Sequence, residues 1–346
     1  MNTNSNFPNR RKAANKDIEH LSYRPPLELS GELVNTIREG ETKLQYPFVV
    51  ADVGAAQALD PRWEKFGGFC TQIGFEPDRI ECERLQAMYQ GEGPGKTIKL
   101  FEPTALWHSH ETRVLNITRD PDATSFYEPN ASFFERLPDP TLQQVVARVP
   151  VSAIPLDAYE LPFEGTIDAI KLDVQAAELD VMKGAIKHMN NGVLAVIGEL
   201  LFTPHYIEQP WFGDFDSFMR AHGYQVFDID LRRWRRRKLP SQFDNIRVGG
   251  ISYGDTLYLK DPLAFNQSHD NPKTNGHRFC IPGQEREKLI KLAALAEFFA
   301  VPDYGLEVLE FGCKEGFFDK VEFEKLAAKL LGNQIIRHHD RGVLPR

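Results

Sequence analysis

Two acids and a glycine set the first chemical question. Asp52 and Gly54 close the apolar stretch "FVVADVG" at residues 48–54, and Glu76 closes another, "TQIGFEP" at residues 71–77, 24 positions after Asp52. A glycine at a strand end lets the backbone come close to a ligand, and an acid at the end of the next strand suits the two hydroxyls of a ribose. Taken singly, Asp52 would cap a turn and Glu76 would be a solvated helix-start residue; the joint spacing favours a nucleotide. The turn lacks the second and third glycines of a G-x-G-x-x-G loop, so it is a poor cradle for a pyrophosphate. An adenosine without phosphates fits better, which points to S-adenosylmethionine and away from NAD.

Moving a methyl group from a sulfonium to a hydroxyl requires alignment of the two partners and an acceptor for the hydroxyl proton. Asp173 after "IDAIKL", Glu199 in "VIGELLF" and His205 in "TPHY" stand at expected strand ends and are the catalytic candidates. His205 alone has an ordinary pKa near neutrality, although a single loop histidine is more often a surface residue. Asp173 also reads as the N-cap of a helix over 174–188. His108 and His110 are weaker candidates. The spacing of these groups specifies no metal. The basic run "RRWRRRK" at 232–238 follows the sixth expected strand. Such runs are ordinarily solvated loops. Its place at the ligand-binding edge makes Arg235, Arg236 and Arg237 candidates for an anionic acceptor such as a sugar phosphate, with Trp234 stacking on a ring.

These residues need a frame that brings strand ends together. Strands are expected at 48–54, 71–77, 97–103, 167–174, 193–200 and 224–230, several of them near-continuous apolar runs of the kind found in a sheet covered on both faces. Helical patterns at 78–90 and 176–190 alternate with them, which implies right-handed crossovers and a doubly wound α/β sheet. Residues 104–155 form a long connection with a strand-like piece at 112–118, and 255–261 reads as a final antiparallel strand. The expected organisation is a disordered polar tail (1–20), an N-terminal helical segment (21–47), the sheet domain (48–262), a linker (263–284) and a C-terminal helical extension (285–346). The last either packs on the sheet or forms a surface for a homo-oligomer.

Composition narrows the partners. A net charge of −8 over 346 residues argues against bulk nucleic-acid binding. No apolar run is long enough for a membrane, and the opening residues lack the apolar core of an export signal. Cys70, Cys82, Cys280 and Cys313 are too few and scattered for a disulfide framework. They read as reduced thiols in a cytoplasmic protein.

Five stretches in order resemble the FkbM-type S-adenosylmethionine-dependent methyltransferases: "ADVGA" (51–55), "GFEPD" (74–78), "IKLDVQAAELDVMKG" (170–184), "PHYIEQPWFGDFDSFMRAHGYQVFDID" (204–230) and "GDTLYLKD" (254–261). The third is the most specific, with Lys171, Asp173, Ala177, Glu178, Lys183 and Gly184 in the family's places. The resemblance implies a seven-stranded, mostly parallel, Rossmann-like class I methyltransferase sheet with the last strand antiparallel. It implies S-adenosylmethionine as cofactor and methyl transfer to a hydroxyl of a sugar or secondary metabolite. Carried over, Asp52 and Gly54 would lie at the methionine part, Ala55 elsewhere in the cofactor site, Glu76 at the ribose, Ala105 and Leu106 near the adenine, and Asp173 facing the sulfonium and acceptor. Ala56 and Ala58 replace the family's asparagine and glycine, and Gln175 and Ala176 its glutamate and glycine. Those four departures favour a rival reading, a degenerate member that binds cofactor or partner without catalysis. A nicotinamide-dependent oxidoreductase is disfavoured by the missing glycines.

Overall fold

The computed structural model describes residues 32–332, except 57, 91, 92, 94, 238, 239, 241–248 and 267–277. The expected tail, 1–20, lies outside the described residues. Seven strands form the main sheet: β1 (Phe48–Val53), β2 (Cys70–Phe75), β3 (Ile98–Glu102), β7 (Ala169–Leu172), β8 (Ala195–Leu201), β9 (Tyr224–Trp234) and β10 (Gly250–Lys260). Their order is β3-β2-β1-β7-β8-β10-β9, with β10 antiparallel to both of its neighbours and the others parallel. The long connection contributes β4 (Ala105–Leu106), β5 (Glu111–Thr118) and β6 (Val145–Ile154), which make a second, three-stranded sheet in the order β4-β6-β5.

Alternation along β1 assigns the two faces. Phe48 and Val50 point into a core shared with α1 (Glu32–Arg38), α8 (Glu285–Phe298), α9 (Pro302–Lys314) and α10 (Lys320–Leu331). Val49, Ala51 and Val53 point the other way, into a core shared with α4 (Glu178–Lys183), α5 (Ile186–Asn191) and α6 (Phe212–Ala221). Every residue of β1 and β2 is buried, which accounts for their unbroken apolar character. The C-terminal helices thus cover one face of the sheet, and α8 is buried along most of its length. Three further α-helices, α2 (Arg79–Met88), α3 (Ala131–Phe134) and α7 (Pro262–Asn266), complete the described α-helices, beside 3-10 turns at Pro61–Phe69, Pro121–Ala123 and Leu156–Ala158.

Differences from the expected elements have local causes. The single helix expected over 176–190 is two, α4 and α5, parted at Gly184. A side chain at Gly184 would sit 2.3 Å from the Trp107 carbonyl oxygen, so tight packing against the second sheet fixes the break. Helix α9 buries Tyr304, Val308 and Leu309, and Pro302 occupies its first turn, where proline is tolerated. Strand β9 runs on through Trp234, so the basic run begins inside a strand.

At the amino edge of the sheet a buried carboxylate ties the C-terminal helices down. Asp168 is fully buried and accepts Lys288 Nζ at 2.6 Å, Lys291 Nζ at 3.0 Å and the Val49 N–H at 3.0 Å. Lys288 also donates to the Gly192 carbonyl at 3.0 Å and Lys291 to that of Pro47 at 2.9 Å. Removing one member of a buried ionic set strands the others in low dielectric. Asp168→Ala is expected to cost about 3–5 kcal/mol in urea unfolding; a loss below about 1 kcal/mol would show that the lysines find water or other partners.

Candidate functional site

A cavity of about 900 Å³ opens at the carboxyl ends of β1, β2, β7 and β8. The strand order reverses between β1 and β7, and such reversals are where open α/β sheets bind ligands. Its roof comes from the second sheet and its connections, through Leu106, Leu115, Phe126 and Phe134.

The floor is set where the loop after β1 passes the loop after β7. Gly54 has φ +84°, and a Cβ there would lie 2.0 Å from the backbone oxygen of Asp173. Only glycine fits. The N–H groups of Gly54 and Ala55 both donate to the Phe75 carbonyl, at 3.0 and 3.2 Å, and turn the chain across the end of β2. Ala56 and Ala58 follow with no positive φ, so the loop needs no glycine at either place, and Ala56 lines the cavity. The loop ends at Asp60, which caps the following turn of 3-10 helix through the Arg62 N–H at 2.9 Å.

Two of the expected cofactor residues are placed elsewhere. Asp52 has the parity of Val50 and faces the C-terminal helices, away from the cavity. Its carboxylate accepts Lys171 Nζ at 3.0 Å and the Asp60 N–H at 3.3 Å, and burial pushes its pKa up against the pull of Lys171. It holds the shape of the loop from behind. Ala55 is buried against Gly74, where an added Cβ would come within 2.9 Å of the Ala55 methyl. Gly54, Glu76, Ala105, Leu106 and Asp173 do line the cavity. Glu76 is held by accepting the Asp78 N–H at 2.9 Å, and Asp78 in turn caps α2 through the Ile80 N–H at 3.0 Å.

The loop after β7 carries the strain that the first loop avoids. Gln175 has φ +52° and Ala176 φ +82°, a conformation that costs a side-chain-bearing residue roughly 1–2 kcal/mol. Neighbours hold it there. The Ser125 hydroxyl donates to the Gln175 carbonyl at 2.5 Å, and the buried Glu178 carboxyl accepts the Val174 N–H at 3.0 Å and that of Ala176. Burial pushes Glu178 up to about 8. Asp173 does not cap a helix, contrary to the expectation: α4 starts at Glu178 with Ala177 as its cap and no side-chain cap bond. Its side chain is exposed, and the residue forms part of the cavity wall.

Of the other catalytic candidates, Glu199 lies on the cavity wall and accepts Gln175 Nε2 at 2.9 Å. Burial, with the Asp173 and Asp255 carboxylates nearby, pushes it well above the ordinary glutamate range. His205 also lines the cavity, but its Nε2 is 2.8 Å from Ser252 Oγ and its ring stacks on Trp234 with centroids 4.5 Å apart. Burial, helped by the charge of Arg236, pulls His205 down to about 3, so the ring stays neutral and accepts protons poorly. Among the described residues no group of three or more metal-ligating side chains forms.

Trp234 belongs to the cavity wall and Arg235, Arg236 and Arg237 do not. Arg236 packs 4.8 Å over the Phe133 ring, and Arg237 donates to the Arg136 carbonyl. The support for an anionic acceptor goes with them. The cavity is instead acidic: among the described residues Glu76, Asp78, Glu81, Asp120, Asp122, Asp173 and Glu199 border it against one basic side chain, Arg84, which is paired with Glu81 at 2.7 Å. Tyr206 and Tyr253 are cavity residues that the sequence reading passed over, though both lie in stretches that carried the resemblance or adjoin one.

Residues 52–226 match the model of the methyltransferase FkbM domain. No curated protein matches the chain. Among solved structures the fold is similar to magnesium protoporphyrin IX methyltransferase from Synechocystis PCC 6803 with bound SAM. The two share 9% identity over 67% of this chain and 80% of that one, with a TM-score of 0.34. It is also similar to the FkbM methyltransferase from Methylobacillus flagellatus KT, at 14% identity over 69% of this chain and 49% of that one, with a TM-score of 0.36. The chain therefore spans about half the length of that second protein.

The buried carboxyl behind the strained loop makes stability depend on pH. Its folded pKa is raised, so its contribution is complete below about 4.5, the ordinary glutamate value, and is lost as pH rises through about 8. Glu178→Gln removes the ionisation. Its unfolding free energy relative to wild type is expected to improve steadily from roughly pH 5 to pH 9. A difference that stays flat over that range in urea titrations would contradict the assignment.

Proposed function

On the premise that the chain belongs to the FkbM methyltransferase family, as the match over residues 52–226 shows, we propose that it uses S-adenosylmethionine to methylate a hydroxyl of a small, sugar-like or secondary-metabolite acceptor. The observation that carries this reading is one continuous cavity joining Gly54, Glu76 and Leu106 to Asp173 and Glu199. Its volume, about 900 Å³, has room for a nucleoside and a second small molecule.

The residues present fit the cofactor. Glu76 offers a carboxylate to a ribose diol, Ala105 and Leu106 an apolar wall to a flat base, and Gly54 the close backbone approach. The acidic lining suits a ligand that carries a sulfonium and an ammonium. When bound, S-adenosylmethionine supplies a methyl group already activated on positively charged sulfur. The chain's own part is to align the acceptor and receive its proton. Asp173 stands on the cavity floor beside the Gly54 crossing, where it would receive the proton of the acceptor hydroxyl. Glu199, joined to Asp173 through the Gln175 amide, offers a second hydrogen-bonding carboxyl to the same acceptor. Trp234 and Tyr253 offer ring faces on which a sugar or other ring can stack. Ala56 lines the cavity without closing it, which favours an active enzyme over a degenerate one.

The cysteines Cys70, Cys82, Cys280 and Cys313 are free, in keeping with a cytoplasmic setting. Among the described residues no helix is long and apolar enough to cross a membrane.

Calorimetric titration tests the cofactor assignment. S-adenosylhomocysteine is expected to bind with micromolar affinity and NAD not to bind. Glu76→Ala is expected to weaken S-adenosylhomocysteine at least tenfold, about 1.4 kcal/mol. Absent binding in wild type, or equal affinity in the variant, would overturn the reading.

A further inference from the structure

The geometry points to Gln175 as the positioning residue of the site, a neutral bridge that holds Asp173 and Glu199 together as a carboxyl pair. Its Nε2 lies 2.9 Å from Glu199 Oε1 and 3.2 Å from Asp173 Oδ1, and its Oε1 accepts the Tyr206 hydroxyl at 3.1 Å. The amide's orientation is forced. Turned over, its oxygen would face the acceptor oxygens of two carboxyl groups in place of its N–H bonds. Its backbone is fixed as well, with the Ser125 hydroxyl on its carbonyl at 2.5 Å. A left-handed φ of +52° at a residue with a side chain is held there by this ring of contacts, and it belongs to the wall of the cavity.

The residue type is what the arrangement needs. Neither Asp173 nor Glu199 has an ion-pair partner among the described residues. The side-chain donor they share is this amide. A glutamine presents two N–H bonds from a single nitrogen to two acceptors, with an oxygen left over for the tyrosine. The glutamate that the family resemblance leads one to expect at 175 would offer no donor and would add a third carboxylate to the cluster. An asparagine would fall one methylene short. This inference rests on the reading of Asp173 and Glu199 as the groups that meet the acceptor. Gln175 acts through them, setting where Asp173 points and letting both carboxylates share one cavity. A hydrogen bond to the ionised form favours ionisation, so loss of the bridge drives Glu199 towards its protonated form.

Residue-resolved carboxyl modification tests it. The wild-type protein, Gln175→Leu and Gln175→Glu are treated with a water-soluble carbodiimide and an amine across a pH series, and the extent of labelling at each acid is read by mass spectrometry. The exposed Asp139, which is held by Thr141, serves as the remote control. Gln175→Leu is expected to raise the labelling midpoint of Glu199 by about a unit or more, a tenfold change in proton affinity, and to leave Asp139 unmoved. A Glu199 midpoint that stays in place would overturn the bridge. Should the leucine variant fail to fold, the near-isosteric Gln175→Glu carries the test: the Glu199 midpoint is expected to rise, and an unchanged one refutes it. Failure of the wild-type protein to bind S-adenosylhomocysteine would sink the cofactor reading and leave this result standing.

Discussion

Gly54 and the Asp173 carbonyl meet where no side chain fits, and the rest of the site follows from that contact. Strands β1 and β7 lie side by side at the reversal of strand order, so their loops leave the same edge and cross. A Cβ on Gly54 would stand 2.0 Å from the Asp173 oxygen. The crossing therefore brings a backbone suited to close ligand approach against an acid suited to proton transfer. From there the chain diverges, towards Glu76 and Asp78 on one side and towards Gln175, Glu199 and Tyr206 on the other, and the cavity is the space between.

Buried charge is used on both edges of the sheet for different ends. At the amino edge, Asp168 with Lys288 and Lys291 joins β7 to the covering helix α8. Beneath the first loop, Asp52 and Lys171 brace the turn from the face opposite the cavity. Both sets have opposite charges in contact. At the carboxyl edge Asp173 and Glu199 have only an amide between them. Unneutralised acids are costly to keep in a stable core, and their presence in a cavity fits a site that receives cationic and hydroxyl-bearing ligands.

Strands were legible because a sheet covered on both faces writes itself as unbroken apolar runs, and β1 and β2 are buried along their whole length. Gly54, Glu76 and Asp173 were legible because strand ends converge in any doubly wound sheet. What the sequence withheld is parity and packing. Asp52 has the parity of Phe48 and Val50, so strand alternation turns it away from the face of Val53, which lines the cavity. The arginines after Trp234 follow a strand longer than its apolar core, which carries them past the cavity. The break at Gly184 is a tertiary contact with Trp107, invisible in a helical period that continues through it. Ala56 and Ala58 stand where the family has asparagine and glycine, yet neither has a positive φ. The left-handed residues instead are Gln175 and Ala176, because the loop after β7 is pinned by Ser125 and Glu178, while the loop after β1 reaches Asp60 without them.

The most direct test of the central claim is a crystal structure of the protein with S-adenosylhomocysteine. The account predicts the ribose hydroxyls within about 3 Å of the Glu76 carboxylate, the base against Ala105 and Leu106, and the sulfur above the Gly54 crossing, open towards Asp173. A ligand bound elsewhere, or one whose sulfur is walled off from Asp173 and Glu199, would contradict it.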